Sequence, residues 1–64
     1  MNLDEINDSL RERLKEHLLK NGIKQGFVSK NVGISQTSIS MFLADKRNLT
    51  KDNLDKIEKF LSGE

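Results

Sequence analysis

Cysteine and proline are absent from this sequence of 64 residues, and histidine occurs once, at His17. Without cysteine the chain has neither a disulfide framework nor thiolate ligands for a metal, and a cytoplasmic location is expected. His17 has no second histidine or cysteine with which to share a metal ion, so we expect it on a plain helix surface. The sequence therefore predicts no metal site and no cofactor.

Long apolar runs are also absent, and the longest one is far too short to cross a bilayer. The N-terminus carries Asp4, Glu5 and Asp8 before any basic residue, which is the reverse of a secretory signal. No nucleophile with a neighbouring base, glycine-rich phosphate loop or carboxylate constellation stands out. We therefore expect no membrane association, no enzyme activity and no small-molecule substrate.

The composition that remains is that of a small compact domain. Apolar residues make up 34% of the chain and charged residues 33%, which predicts one domain over residues 1–64 with a single small core and modest stability. The net charge is only +1, but it is unevenly distributed. The stretch 20–47 holds five basic residues and one acid, a net +4, whereas the flanks hold six basic and nine acidic residues, a net −3. Such a local positive field suits a surface that faces DNA.

Apolar residues recur at helical spacing in four stretches, and the sequence predicts an all-α bundle of four, possibly five, helices without strands. The first helix covers about 3–21, and its apolar stripe consists of Leu3, Ile6, Leu10, Leu14 and Leu18. Two N-caps are possible for this helix: Asn2, with Glu5 three positions later, or the later pair Asp8 and Ser9. Gly22 fits the left-handed position that ends a helix.

The second helix is predicted over 25–32 and ends at Gly33. Ser35 is the expected N-cap of the third helix and Thr50 that of the fourth. In both helices an apolar residue before the cap can close over one in the helix, Ile34 over Ile39 and Leu49 over Leu54. The inner faces of these two helices are predicted to be Ile39, Phe42 and Leu43, and Leu54, Ile57, Phe60 and Leu61.

The stretch from Gln25 to Phe42 is the most informative one, because apolar residues surround a glycine. Two helices that meet at a steep angle across a short turn need a left-handed residue, for which glycine is the least costly. Apolar residues on both sides of the turn then lock the angle; here they are Val28, Val32, Ile34, Ile39 and Phe42. A locked angle lets the second helix of the pair protrude into a groove.

Residues 23–48, IKQGFVSKNVGISQTSISMFLADKRN, resemble the helix-turn-helix of the phage repressor and Cro family, the lambda-repressor-like domains, with the motif at about 24–44. The resemblance implies a phage-type or prophage-type transcriptional repressor that binds double-stranded DNA. It implies the helix 36–44 in the major groove and a homodimer on an inverted-repeat operator. Carried over by position, it implies a phosphate contact for Gln25, base contacts for Gln36, Thr37 and Met41, and DNA-backbone contacts for Lys46 and Asn48.

Residue chemistry favours the same face of the third helix. Its outer side carries Gln36, Thr37, Ser40, Met41 and Ala44, and no charged residue occurs from 32 to 44. Gln36 can pair with adenine, Thr37 can bond to either pair type and Met41 can touch a thymine methyl. The positive N-terminal ends of the second and third helices favour phosphate. The predicted base contacts are Gln36, Thr37, Ser40 and Met41, and the predicted phosphate contacts are Lys24, Gln25, Ser35, Lys46, Arg47 and Asn48.

The sequence departs from the family's pattern at three places. Ser29 stands where a small apolar residue is usual, and its hydroxyl is expected to bond a carbonyl of its own helix. The family often has Glu-Asn-Gly where this chain has Leu43, Ala44 and Asp45, so Asp45 must make a turn that suits glycine and brings a negative charge near DNA. Lys24 replaces the usual hydroxyl cap and adds a charge attracted to phosphate.

Other interpretations stay open at this point. The polar face of the third helix suits an ordinary solvated surface, or a protein-binding module such as an antitoxin or an inhibitor. Met41 also suits a core gap or a dimer interface, and Phe27 also suits packing on the first helix. Three alternatives remain for the dimer surface: the fourth helix, the N-terminal segment or a further domain. A steep loss of duplex affinity with rising salt would favour DNA, whereas a salt-insensitive protein complex would favour the alternative.

Overall fold

The computed structural model describes residues 2–63, and within that range it contains four helices and no strand. The helices are α1 (Leu3–Asn21), α2 (Gln25–Val32), α3 (Gln36–Leu43) and α4 (Lys51–Leu61). The prediction of an all-α bundle with a helix-turn-helix at its centre is confirmed. The ends of the predicted domain, residues 1 and 64, lie outside the described range. No helix within residues 2–63 is long and apolar enough to cross a membrane.

The helix boundaries follow from short polar caps and from glycine. Asn2 is the cap of α1, where its side chain accepts a hydrogen bond of 2.9 Å from the Glu5 N–H, so the earlier of the two candidate starts is the one used. Ser35 and Thr50 cap α3 and α4 in the same way. Gly22 and Gly33 end α1 and α2 in the left-handed conformation, which costs a residue with a Cβ far more than it costs glycine.

One core joins all four helices. α1 packs mainly on α4 and also on α3, while α2 packs on both α3 and α4. Both predicted pairs of apolar residues around the caps, Ile34 with Ile39 and Leu49 with Leu54, are buried in it. The buried apolar residues are Leu10, Leu14, Leu18, Val28, Val32, Ile34, Ile39, Phe42, Leu43, Leu49, Leu54 and Ile57.

The turn between α2 and α3 is held by Ser29 as well as by apolar packing. Its hydroxyl donates to the carbonyl of Ile34, which lies beyond the turn. The expectation of a bond to a carbonyl within its own helix is therefore wrong. The main-chain N–H of Gly33 already donates to the Ser29 carbonyl at 3.0 Å, so Ser29 bonds the turn through both its main chain and its side chain.

Three aromatic rings, one each from α1, α2 and α4, lie in contact around Phe60. Phe60 of α4 lies edge-on to Phe27, with ring centroids 6.3 Å apart, and to His17, at 5.7 Å. The aromatic contact of Phe27 is thus made with α4, and His17 is half-buried rather than a plain surface residue. Phe60 and Leu61 are only partly buried, because they lie at the rim of the core.

Candidate nucleic-acid interface

The outer face of α3 is uncharged and accessible. Gln36, Thr37, Ser40 and Ala44 are exposed and Met41 is partly exposed, whereas Ile39, Phe42 and Leu43 on the opposite side are buried. The predicted orientation of this helix is therefore correct. The face presents an amide, two hydroxyls and a thioether, which can read base edges by hydrogen bonds and by apolar contact.

One edge of this face adjoins the N-terminus of α2. Gln25 and Gln36 line the same open cleft, and a Cβ placed on Gly26 would lie 3.5 Å from Oε1 of Gln36. The side chain of Gln36 therefore lies across the glycine of the neighbouring helix. Within residues 2–63 no side chain caps α2, because Lys24 stands at its N-cap. The first N–H groups of α2 are thus available to an anion beside the exposed Lys24.

The other edge of the face carries the loop that follows α3. Arg47 donates from Nη1 to Oγ of Ser38 at 3.3 Å, and Ser38 in turn accepts from the hydroxyl of Ser35 at 3.0 Å. Ser38 lies about 200° around the helix axis from Gln36, so Arg47 flanks the side away from α2. Lys46 and Arg47 are both exposed. Basic residues therefore stand on both sides of an uncharged helix.

The loop after α3 is attached to α1 through Arg11, which is 3% exposed. Nε of Arg11 donates to the carbonyl of Phe42, and its carbon Cζ lies 4.7 Å from the centroid of the Phe42 ring. Nη2 donates to the carbonyl of Arg47 at 3.2 Å and to Oδ1 of Asn48 at 2.8 Å. Nη1 is 2.8 Å from a carboxylate oxygen of Asp8 and 3.3 Å from one of Asp45.

Asp45 has a positive φ of 60°, the one such value at a residue other than glycine within residues 2–63. The expectation that it takes the turn usually made by glycine is met. Its carboxylate lies 3.3 Å from Nη1 of Arg11, and a carboxylate oxygen of Asp8 lies 2.8 Å from the same nitrogen. One guanidinium thus faces two carboxylates, so the negative charge that Asp45 brings to this loop is only partly offset.

Asn48 is hydrogen-bonded inside the protein at both ends of its amide. Oδ1 accepts from Arg11, and Nδ2 donates to a carboxylate oxygen of Asp4 at 3.2 Å. Since an amide NH₂ group has two hydrogens, the exposed Asn48 keeps one N–H for its predicted phosphate contact. The side chain of Asn48 ties the loop to α1.

Asn7 and Arg11 are the two buried polar residues within residues 2–63, and sequence reasoning assigned a role to neither. Asn7 is fully buried, and its side chain bonds both main-chain groups of Leu49. A signal for them exists in the helical spacing, because positions 7 and 11 follow Leu3 and precede Leu14 and Leu18 along one face. Polar residues at such positions must find partners inside the protein.

Comparison with known proteins agrees with this geometry. A protein-family model described as Helix-turn-helix matches residues 14–63, which include α2, α3, α4 and the end of α1. No curated protein and no solved structure matches the chain significantly. The matched family supports sequence-specific DNA binding by a transcription regulator. Because the match covers 50 of the 64 residues, the protein belongs to the helix-turn-helix family of DNA-binding domains.

Proposed function

We propose that this protein is a phage-type transcriptional repressor that inserts α3 into the major groove of its operator. The observation that carries the proposal is the pairing of an uncharged, accessible helix face with basic residues along both of its edges. Amides, hydroxyls and apolar groups can read base edges, and cations at the borders of the helix can bind the two phosphate backbones of the groove. Repression then follows from occupancy, because a bound domain excludes polymerase from overlapping DNA.

The roles of the individual residues follow from their positions. Gln36, Thr37, Ser40 and Met41 contact base edges, with Gln36 and Thr37 reaching deepest because the N-terminal end of a recognition helix enters the groove. On the α2 side, Lys24 and Gln25 contact phosphate together with the open N–H groups of the helix. On the loop side, Lys46 and Arg47 contact the opposite backbone. Ser35, at the N-terminus of α3, and Asn48, in the loop, contact phosphate through their polar side chains.

A homodimer on an inverted repeat is part of the proposal. One eight-residue helix reads too few base pairs to select a site from a genome, and two copies spaced by one helical turn double the site. Such a regulator acts in the cytoplasm, on the nucleoid of the host cell.

The experiment is selection of bound duplexes from a random DNA library at moderate salt, followed by sequencing. We expect enrichment of an inverted repeat whose half-sites lie about 10 base pairs apart. The matched control is a Gln36→Ala, Thr37→Ala double variant, which keeps the charge and the fold of α3 and should enrich no sequence. A folded wild-type chain that enriches nothing would contradict the proposal.

Protein binding is the second candidate function, and one observation favours it. Leu19 is 87% exposed and Phe27 is 54% exposed, and both line the cleft that also contains Gln25 and Gln36. Exposed apolar surface of this kind suits a partner protein, as in an antitoxin or an inhibitor. Binding to this cleft would cover Gln36. A protein complex that is insensitive to salt, together with weak DNA binding, would favour this function over the first.

A further inference from the structure

In the loop between α3 and α4, residues 44–48 are held mainly by contacts with other elements, whereas Leu49 after them is buried in the core. Residues 44–48 are all exposed, so no apolar side chain anchors them in the core. Three main-chain bonds, from Ala44 to Ser40, from Asp45 to Phe42 and from Lys46 to Met41, only continue the end of α3, and the side chain of Arg47 bonds Ser38 of that helix. The main chain of Arg47 and the side chain of Asn48 are tied to α1, where Arg11 donates to the Arg47 carbonyl and to Oδ1 of Asn48, and a carboxylate oxygen of Asp4 accepts from Nδ2 of Asn48.

Arg11 is suited to this role by its shape and by its charge balance. A guanidinium presents its N–H groups in a rigid planar fork, so one side chain can hold the end of α3 and two loop residues in a set geometry. The charge is buried, but carboxylate oxygens of Asp8 and Asp45 lie 2.8 and 3.3 Å from its Nη1. A buried cation paired and hydrogen-bonded in this way keeps its position, because every alternative leaves it or its partners unsatisfied.

We propose that Arg11 is a positioning residue for DNA binding, which acts by holding the loop so that Lys46 and Arg47 flank the exposed face of α3. The inference rests on the proposed function, since it concerns how the phosphate contacts of that interface are made. Arg11 itself is too deeply buried to touch DNA. Its loss should therefore remove phosphate contacts while leaving the base-reading face of α3 as it is.

The test compares Arg11→Gln with Arg13→Gln as the matched control. Arg13 lies on the same helix and loses the same charge, but it is 51% exposed and its partner is Glu58 of α4, at 4.0 Å. The affinity for a random-sequence duplex of about 20 base pairs is measured at several salt concentrations. The slope of log affinity against log salt reports the number of phosphates contacted, at about 0.9 per phosphate. We expect Arg11→Gln to flatten the slope by about 1 to 2 and Arg13→Gln to leave it unchanged.

A double-mutant cycle with Lys46→Ala separates positioning from simple stabilisation. If Arg11 positions the loop, Lys46→Ala weakens binding several-fold in the wild-type background and hardly at all in the Arg11→Gln background. If Arg11 only stabilises the fold, the two effects multiply and the salt slope stays at its wild-type value, because a smaller folded fraction scales every affinity alike. That second outcome overturns the inference.

Arg11→Lys covers the case in which Arg11→Gln does not fold. Lysine keeps the charge and the apolar stem but lacks the fork, so it cannot hold Phe42, Arg47 and Asn48 together. We expect Arg11→Lys to flatten the salt slope as well and to leave the selected base preference unchanged. A wild-type slope for a folded Arg11→Lys overturns the inference. A wild-type chain without salt-dependent DNA binding contradicts the proposed function instead, so the two failures are distinguishable.

Discussion

Asn7 and Leu49 exchange two hydrogen bonds across 42 positions of sequence. The Leu49 N–H donates to Oδ1 of Asn7 at 2.7 Å, and Nδ2 of Asn7 donates to the Leu49 carbonyl at 3.3 Å. Leu49 is buried just before α4, where no helix supplies hydrogen-bond partners for its main chain. The asparagine amide thus satisfies both of its main-chain groups. Together with Arg11 one turn later, Asn7 makes α1 the support on which the loop of the candidate interface rests.

Replacement of Asn7 by leucine should destabilise the fold, although it adds apolar volume. Both main-chain groups of Leu49 would remain buried without partners, and we expect a loss of about 2 to 4 kcal/mol in the free energy of unfolding. Urea unfolding followed by circular dichroism measures it. Asn31→Ala is the control, because Asn31 is exposed and bonds only within its own helix, so a change within about 0.5 kcal/mol is expected there. Equal effects of the two variants would contradict the assignment.

Asp45 should show the preference for glycine that its backbone conformation dictates. At a φ of 60°, Asp45→Ala meets the steric cost of the left-handed region and Asp45→Gly does not, while both lose the same carboxylate. We expect the glycine variant to be more stable than the alanine variant by about 1 to 2 kcal/mol. Thermal unfolding of the two proteins side by side checks this difference. Equal stability would mean that this turn is not left-handed in solution.

The two glycines of the helix-turn-helix should respond to alanine in opposite directions. Gly26 lies inside α2, where a Cβ would make ordinary contact with Gln36, so Gly26→Ala should stabilise by about 0.5 to 1 kcal/mol. Gly33 has a φ of 72°, so Gly33→Ala should destabilise by about 1 to 2 kcal/mol although space is open around it. Chemical denaturation measures both. A change of the same sign in the two variants would contradict this account.

Gln36 and Lys46 should separate base recognition from phosphate binding. Gln36→Ala should relax the preference at one or two base pairs and cost about 1 to 3 kcal/mol on the preferred duplex. Lys46→Ala should weaken binding to all duplexes alike and reduce the salt slope by about 1. Lys56→Ala serves as the charge-matched control, since Lys56 lies on α4 beside Asn31 and Phe60. If Gln36→Ala leaves the selected sequence and its affinity unchanged, the assigned register of α3 on DNA is wrong.

The features that the sequence alone determined are those encoded within a few neighbouring residues. The caps at Asn2, Ser35 and Thr50 act three positions along the chain, and the left-handed turn at Gly33 depends on a single residue. Helical spacing of apolar residues was enough to orient α3, because its buried and exposed sides are distinct. Membership of the helix-turn-helix family, too, could be predicted from this local pattern, and the family model matches residues 14–63.

Only the tertiary structure decided which groups meet across long stretches of chain. Position 11 has the spacing of an inward-facing residue, but its charge suggests a solvated arginine until Phe42 and the loop after α3 are brought against it. The family resemblance assigned Asn48 to the DNA backbone by its position in the motif, whereas in the fold Arg11 and Asp4 bond to the two ends of its amide. Ser29 likewise bonds the Ile34 carbonyl beyond the turn. A polar side chain takes the partner that folding brings within reach, and the geometry of the whole bundle determines that partner.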